Sequence, residues 1–285
     1  MHVCLKVDEI IRLIASKFVA LNSWASAVSL ACCCKNFEDP VLDMLWGTQS
    51  QLLPLLKSFP ADIWNEDKCV VSTPTTHILP TLNSLIWKSC KTSPTTMEWV
   101  HFQKYAQRMR ELNERDALDL LFSRLSSIQQ LYAINKPLFL NLGTFRLQYA
   151  SKKLIPSIPL FLSPRTTVIS ISFNKSDFPK VIVTSMITTF PTLCPNLQEI
   201  TLQSLLRDPM IAIAVSKMVL ASNQNTLQRF QVDSQLLVGA CEVIFKLPDL
   251  RELLVVIEKG SPLPSMVLPS LTDLAVKCDH GGDWL

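Results

Sequence analysis

Apolar residues recur at spacings of three and four through roughly the first fifty positions, which is the period of an amphipathic helix. Two successive apolar faces comprise Val7, Ile10, Ile11, Ile14 and Phe18, and then Trp24, Ala27, Val28 and Ala31. A third helix is predicted to begin at Asp39 and Pro40 and to end near Gly47, because aspartate is a favourable N-cap and proline fits the first helical position. Three such helices bury only part of their apolar surface, so the remaining chain or a partner must cover the rest.

A different pattern, apolar-x-x-apolar-x-apolar, recurs over the rest of the chain. Its copies begin at Leu82, Met109, Leu142, Val168, Leu197, Leu227, Leu250 and Leu271, at steps of 21 to 33 residues. Short alternating segments of this kind predict strands, and the stretches between them have helical spacing. The predicted helices are residues 114–132, residues 210–220 after an Asp208-Pro209 start, and residues 236–245 after an Asp233 or Ser234 cap. This alternation of strand and helix predicts an α/β fold.

The spacing of these copies resembles that of leucine-rich repeats, whose units run about 20–29 residues. The resemblance implies a solenoid (horseshoe) over residues 78–285, with leucine, isoleucine and valine inward and polar neighbours projecting from the strands. The repeats are degenerate, since the asparagine or cysteine of the family pattern is replaced in the clear copies by Leu205, Gln235, Glu258 and Asp279. No polar capping helix follows the last copy, so we expect the array to be incomplete at its C-terminus. The alternative is an unrelated α/β domain with parallel, leucine-heavy strands.

Three segments of the helical N-terminal part resemble the F-box: Leu5–Ile14 (LKVDEIIRLI), Val28–Phe37 (VSLACCCKNF) and Val41–Trp46 (VLDMLW). The family pattern reads L-x-x-P-E-I-L-x-x-I, then a V-C-K-x-F stretch, then L-x-x-L-W. Asp8 stands where the pattern has proline, and aspartate can also begin a helix. The resemblance implies that residues 1–50 dock on the Skp-type adaptor of an SCF (Skp–cullin–F-box) ubiquitin ligase, with residues 51–77 as a connector.

Such an adaptor contact would be apolar, with aromatic anchors. The residues that the resemblance implies for it are Leu5, Ile10, Ile11, Ile14, Phe18, Val28, Leu30, Phe37, Leu42, Leu45 and Trp46. With the repeats holding a target protein, the chain would be the substrate-recognition subunit of the ligase, acting through proximity alone. The alternative is a repeat scaffold without a ubiquitin role, in which the N-terminal helices cap the solenoid. In that case Ile10, Ile14 and Trp46 would be buried against the repeats.

The charge balance changes this picture little. The balance of 27 basic and 24 acidic residues gives no reason to expect a nucleic-acid partner, since nucleic-acid-binding domains usually carry a concentrated basic face. The six glycines form no phosphate-binding loop, and no hydrolase, zinc-protease or kinase motif occurs, so we expect neither a cofactor nor an enzyme. One candidate acid–base cluster, His101 with Glu98 and Lys104, keeps a small hydrolase as a third hypothesis. Its aromatic surroundings favour a structural histidine at a half-buried helix edge.

Cysteine and charge placement bear on metal binding and location. The nine cysteines include no C-x-x-C pair and the four histidines are scattered, so no zinc site is expected. The run Cys32-Cys33-Cys34 is interpreted as small apolar filling of a helix. Charges near the N-terminus interrupt a secretory signal, and polar residues or prolines interrupt the two long uncharged stretches. We therefore expect an intracellular protein, cytoplasmic or nuclear, without a membrane partner.

Overall fold

The computed structural model describes residues 8–60, 95–115, 137–150, 152, 154–173, 179–205, 208–221, 226–235, 238–258 and 270–279. Eight strands form one sheet, in which the spatial order of the strands follows their order along the chain. Every neighbouring pair is parallel. Parallel neighbours need a crossover between them, so each connection returns the chain to the same end of the sheet. The predicted α/β class is confirmed.

Alternating side chains divide this sheet into two different faces. The strands are β1 (Thr48–Gln49), β2 (Glu111–Glu114), β3 (Thr144–Ala150), β4 (Val168–Phe173), β5 (Glu199–Gln203), β6 (Arg229–Gln235), β7 (Glu252–Glu258) and β8 (Asp273–Asp279). From β2 to β8, each strand overlaps one predicted copy of the apolar pattern, whereas the copy at Leu82 lies outside the described residues. In β4, for example, Ile169, Ile171 and Phe173 are buried and the residues between them are half-buried. One face therefore meets the core, and we call the other the open face because no described element covers it.

Helices cover the core side of the sheet. Three of them form what we call the head: α1 (Asp8–Ala20), α2 (Trp24–Cys33) and α3 (Lys35–Gly47). The others in the described part are α4 (Leu53–Leu56), α5 (Thr96–Ala106), α6 (Ile158–Phe161, after a 3₁₀ turn at Ile155–Ser157), α7 (Lys180–Leu193), α8 (Pro209–Ala221) and α9 (Val238–Ile244). Their apolar sides and the inward strand residues form one continuous main core.

The residues after β1 belong to this main core. Leu52, Leu55, Leu56 and Phe59 are all buried within it. Phe59 stacks on Phe102 of α5, with ring centroids 4.8 Å apart. The first part of the predicted connector, residues 51–60, therefore packs under the sheet, and residues 61–77 lie outside the described residues.

The head has a small core of its own, which consists of Ile11, Ala15, Ala27, Ala31, Phe37, Val41 and Leu45. Asp8 and Glu9 occupy the first turn of α1, where the helix dipole favours negative charge. At its other end α3 runs directly into β1, which pairs with β2. The last helix of the head is thus continuous with the first strand of the sheet.

The predicted start of the third helix is wrong. The helix begins at Lys35, after an extended Cys34, and Pro40 lies inside it. A proline there removes the amide that would bond the carbonyl of Asn36, which lies in the exposed first turn where water can satisfy it. Pro40 is itself buried, so its ring contributes to packing. Asp39 is not the N-cap, and its carboxylate instead bonds Arg108.

Two further helix predictions have different outcomes. The aspartate–proline start is confirmed, because α8 begins at Pro209 and the Asp208 carboxylate accepts a hydrogen bond of 2.8 Å from the Met210 amide. The cap predicted at Asp233 or Ser234 is wrong, because both residues lie within β6 and the next helix begins at Val238. Of the helix predicted over residues 114–132, Glu114 instead ends β2 and the positions from 116 onward lie outside the described residues.

Candidate interaction surfaces of the head and the open face

The head buries some of the predicted adaptor-contact residues and leaves others accessible. Ile11, Phe37 and Leu45 are between 1% and 8% exposed and form the centre of the head. Val28 is 50% exposed. The half-buried members are Ile10, Ile14, Phe18, Leu30, Leu42 and Trp46, and Leu5 lies outside the described residues. The three buried residues therefore hold the head together, and contact with a partner falls to the others.

Exposed apolar side chains of the head include Leu13 and Leu21, which the sequence pattern did not name, and Trp24, which it placed on an inward face. Leu13 is 61% exposed, Leu21 75% and Trp24 45%. Trp24 and Val28 lie one turn apart on α2, so they present a continuous apolar stripe, which we call the α2 stripe. The sequence placed both on one inward face with Ala27 and Ala31. That apolar face is wider than α1 and α3 can cover, so the alanines are buried and the two larger side chains are not.

Ring packing joins the head to the main core. Trp46, at the end of α3, packs against both the head core and the main core. Its ring centroid lies 5.0 Å from that of Tyr105 in α5. Trp46 is therefore partly covered by contacts within the chain. Ile10 and Ile14 are half-buried on α1.

Charged side chains join the same two helices. Arg108, which follows α5, donates hydrogen bonds to the carboxylates of Asp39 and Asp43 in α3. Asp43 also accepts a bond of 2.8 Å from Arg12, and Lys104 pairs with Glu38 at 2.7 Å. Burial alone would raise the pKa of Asp43, but the bonds from the two arginines outweigh it, so that pKa lies below its ordinary value. An acidic side of α3 thus lies against a basic side of α5.

The open face carries a row of charged residues near the amino ends of its central strands. Arg229 in β6 lies in register with Glu199 of β5 on one side and Glu252 of β7 on the other. Its guanidinium donates at 2.7 Å to Glu199 and at 2.5 and 2.6 Å to the two oxygens of Glu252. The hydrogen bond from Arg229 lowers the pKa of Glu252, and the bond to Glu252 raises that of Arg229. Arg229 and the two glutamates of this row therefore form ion pairs with one another.

The next row of the open face is mostly neutral. It consists of Asn113, Arg146, Ser170, Thr201 and Gln231, which are register partners on consecutive strands from β2 to β6. A pocket of about 340 Å³ opens at its β2 end, lined by Glu111, Asn113, Glu114, Arg115, Arg146 and Gln148. This row offers amide and hydroxyl groups for hydrogen bonds, with Arg146 as its one charge.

Asp233 supplies a link between neighbouring strands that the sequence pattern did not predict. Its carboxylate accepts hydrogen bonds from the Ser204 amide and, at 3.0 Å, from the Leu205 amide, in the turn after β5. Ser204 has a φ of 60°, which turns the chain out of the strand direction at this residue. The carboxylate of one strand thus holds the turn that ends the strand before it. The sequence signal for this contact is an aspartate two residues before Gln235, the position at which the family pattern has asparagine or cysteine.

The candidate acid–base cluster is not assembled. His101 is exposed and contacts Tyr105 edge-on, with ring centroids 5.0 Å apart. The Glu98 carboxylate accepts a hydrogen bond of 2.6 Å from the Thr95 amide. This bond belongs to a capping box, so Glu98 is engaged at the start of α5. Lys104 is engaged by Glu38 in the head. The three side chains therefore have separate partners.

The cysteine run is not apolar filling of a helix. Cys32 and Cys33 are exposed at the end of α2, and Cys34 lies in the extended break before α3. Among the described residues, no group of three or more histidine, cysteine, aspartate or glutamate side chains could hold a metal ion. None of the helices in the described ranges has the length and apolar character needed to span a bilayer.

The chain matches no protein-family model, no curated protein and no solved structure. A proposal for the function therefore rests on the geometry of the head and of the open face.

Proposed function

We propose that this chain is the substrate-recognition subunit of an SCF-type ubiquitin ligase. Its head would be an F-box that binds a Skp-type adaptor. Its sheet would be a degenerate leucine-rich-repeat solenoid that binds a target protein on the open face. The observation that carries the proposal is the joining of the two parts, since a three-helix head with exposed apolar side chains leads directly into a parallel sheet whose open face is polar.

The sheet supports the target-binding half of the proposal. Parallel sheets in most α/β proteins are covered on both faces and have apolar residues on both. Here the outward positions of β4 carry Ser170 and Ser172, and those of β5 carry Thr201 and Gln203. Strand order that follows chain order, with helices on one side, is the geometry of solenoid repeats. Solenoid repeats expose an extended surface of this kind to their partners.

The head supports the adaptor-binding half. The F-box resemblance extends over Leu5–Ile14, Val28–Phe37 and Val41–Trp46. The exposed α2 stripe provides apolar surface with an aromatic residue, which is typical of interface anchors; Val28 begins the second of these segments and Trp24 lies one turn before it. The ring contact and the ion pairs between α3 and the α5 region would hold a bound target at a set position relative to the adaptor. Proximity of that kind is what a recognition subunit contributes to catalysis.

Adaptor capture with a surface double variant tests the proposal. Trp24→Ala with Val28→Ala should reduce co-purification of a Skp-type adaptor with the full chain by about tenfold or more, because the apolar anchors are removed. The matched control is Met97→Ala with Val100→Ala, which removes two apolar side chains that are 78% and 55% exposed on α5, outside the head. The control should retain the adaptor at the wild-type level.

Either of two results would refute the adaptor role: no adaptor captured by the wild-type chain, or equal capture by the stripe variant and the wild type. Phe37 and Trp46 are unsuitable for this test, although the F-box pattern favours them. Phe37 lies in the head core and Trp46 packs against both cores, so their removal would unfold the parts whose binding is being measured.

The second candidate is a repeat scaffold without a ubiquitin role, in which the head caps one end of the sheet. The contact between α3 and α5 favours it, because Trp46, Glu38 and Asp43 all contact side chains of the chain that follows the head from β1 onward, which we call the sheet domain. A cap needs no external partner, so this candidate predicts a folded protein that captures no Skp-type adaptor. Sedimentation of the purified chain with and without the adaptor distinguishes the two candidates.

A further inference from the structure

Two arginines on the open face have opposite surroundings. Arg229 lies between Glu199 and Glu252, its register partners on the two neighbouring strands, and bonds both carboxylates. Arg146 of β3 lies in the next row, and its register partners on the two neighbouring strands are Asn113 and Ser170. Register partners on neighbouring strands lie about 4.8 Å apart, so a carboxylate at either position would reach the guanidinium. The chain supplies counter-charges to Arg229 and neutral groups to Arg146.

The surroundings of Arg146 leave its charge available. Its side chain is exposed, and neither it nor Arg115 makes an ion pair or side-chain hydrogen bond among the described residues. Both line the pocket of about 340 Å³ at the β2 end of the open face, together with Gln148. Guanidinium groups bind carboxylates and phosphates through two parallel hydrogen bonds. Two of them at one pocket form a cationic site with room for an anionic group.

The two acids of the pocket do not pair with either arginine. Glu114 is fully buried, and its carboxylate accepts the Leu52 amide at 2.7 Å, so it is directed away from the open face. Glu111 accepts the Asn113 side-chain amide at 2.9 Å and the Thr48 hydroxyl at 3.4 Å. Both carboxylates therefore have partners within the chain, and neither bonds Arg146 or Arg115.

The pocket also contains an unused acceptor. The Oδ1 atom of Asn113 is buried and has no hydrogen-bond partner in the described part of the chain, although its Nδ2 donates to Glu111. A buried acceptor without a donor carries a free-energy cost that a ligand N–H would remove. The pocket thus offers two cations and an acceptor side by side, which suits a peptide segment that has an anionic side chain next to a backbone amide.

We infer that this pocket binds an anionic side chain of the target protein, a carboxylate or a phosphate, through Arg146 with support from Arg115. Asn113 accepts a backbone N–H of the same segment. The inference rests on the proposed function, in which the open face is the surface that holds the target. It adds the location and the chemistry of one contact on that face.

Peptide binding by the full chain tests the inference. The probe is an array of synthetic decapeptides that carry glutamate, phosphoserine, glutamine or lysine at one central position in otherwise identical backgrounds. The wild-type chain should bind glutamate or phosphoserine peptides about tenfold more tightly than their glutamine counterparts, because a charge-assisted bidentate contact is gained. A larger gain for one of the two identifies the carboxylate or the phosphate as the group recognised.

Three variants make the test specific. Arg146→Gln should abolish the preference, and Arg146→Lys should keep a weaker one, since the charge remains and the bidentate geometry is lost. Arg251→Gln removes the same charge from an exposed position just before β7 and should bind as the wild type does. Thermal unfolding followed by circular dichroism verifies that the variants are folded. A wild-type chain without anionic preference, an unchanged profile for Arg146→Gln, or an equal loss for Arg251→Gln would overturn the inference.

The two proposals can fail separately. Arg146 lies on the sheet and not in the head, so Arg146→Gln should capture a Skp-type adaptor at the wild-type level. Absence of adaptor capture together with a normal anionic preference would remove the ligase role and leave the binding pocket. Normal adaptor capture without a preference for anionic peptides would remove the binding pocket and leave the ligase role.

Discussion

Asp43 in α3 accepts a hydrogen bond from the guanidinium of Arg108, which follows α5 in the chain. The two residues are 65 positions apart, and the Asp43 side chain is only 22% exposed. Arg12 of α1 bonds the other oxygen of the same carboxylate. One aspartate thus connects two helices of the head to the sheet domain.

Replacement of this aspartate should weaken the fold in a pH-dependent way. Asp43→Asn should lower the free energy of unfolding by about 2 kcal/mol at neutral pH, because two charge-assisted hydrogen bonds are lost. The pKa of Asp43 is lowered in the folded chain, so its contribution is present above its ordinary pKa of 3.8 and is lost as the pH falls through the lower, folded value. Urea unfolding between pH 7 and pH 3 measures both effects.

The difference between the wild type and Asp43→Asn should therefore shrink at the acid end of that range. Asp249→Asn, an exposed carboxylate before β7, is the control and should change the stability little at any pH. A stability difference for Asp43→Asn that stays constant down to pH 3 would contradict the assigned role of the carboxylate.

Four cysteines of the described part of the chain should react with thiol reagents in two classes. Cys32 and Cys33 are exposed, whereas Cys194 and Cys241 are buried. Burial raises the pKa of the Cys194 thiol to about 12 and also raises that of Cys241, so both lack the thiolate and the access that alkylation needs. Iodoacetamide at about pH 8 should therefore modify the first pair in the native chain and the second pair only after unfolding.

Peptide mass spectrometry after timed labelling separates these sites. The same reaction in 8 M urea is the control, and there all four thiols should be modified at similar rates. Native labelling of Cys194 at the rate of Cys32 would show that the main core is open at the end of α7, contrary to the packing described.

Asp233 should stabilise one turn of the sheet domain. Asp233→Ala removes the carboxylate that accepts the amides of Ser204 and Leu205, and leaves those donors without it. The free energy of unfolding should fall by about 1–2 kcal/mol. Hydrogen exchange followed by nuclear magnetic resonance should show faster exchange at these two amides.

A matched substitution, Asp273→Ala, removes an exposed carboxylate from β8 and should leave the exchange of Ser204 and Leu205 unchanged. Unaltered protection of the two amides in Asp233→Ala would mean that Asp233 does not hold the turn.

Much of the strand and helix content followed from local patterns. The apolar copies predicted the positions of β2 to β8, and the aspartate–proline pair predicted the start of α8. These predictions succeeded because strand alternation and helix capping depend on residues only a few positions apart. The same rule failed at Asp39 and Pro40, where the aspartate is bonded by a distant arginine and the proline is buried within the helix.

The candidate sites were less predictable than the elements. The F-box resemblance placed Phe37 and Val28 alike in the adaptor contact, yet one is 6% exposed and the other 50%. Only the packing of three helices sets how wide a face they can cover. Similarly, Arg146 and Arg229 both occupy polar positions between apolar residues of their own copies of the pattern, and the pairing of neighbouring strands distinguishes their surroundings.

The order of apolar and polar residues was sufficient to establish an α/β chain with a helical head and successive strands, because secondary-structure periods are written into neighbouring positions. Which apolar side chains stay exposed, which arginine keeps a free charge and which aspartate joins the head to the sheet depended on the folded arrangement. Each of these outcomes rests on contacts between residues that are far apart in the chain, and register and packing bring those residues together.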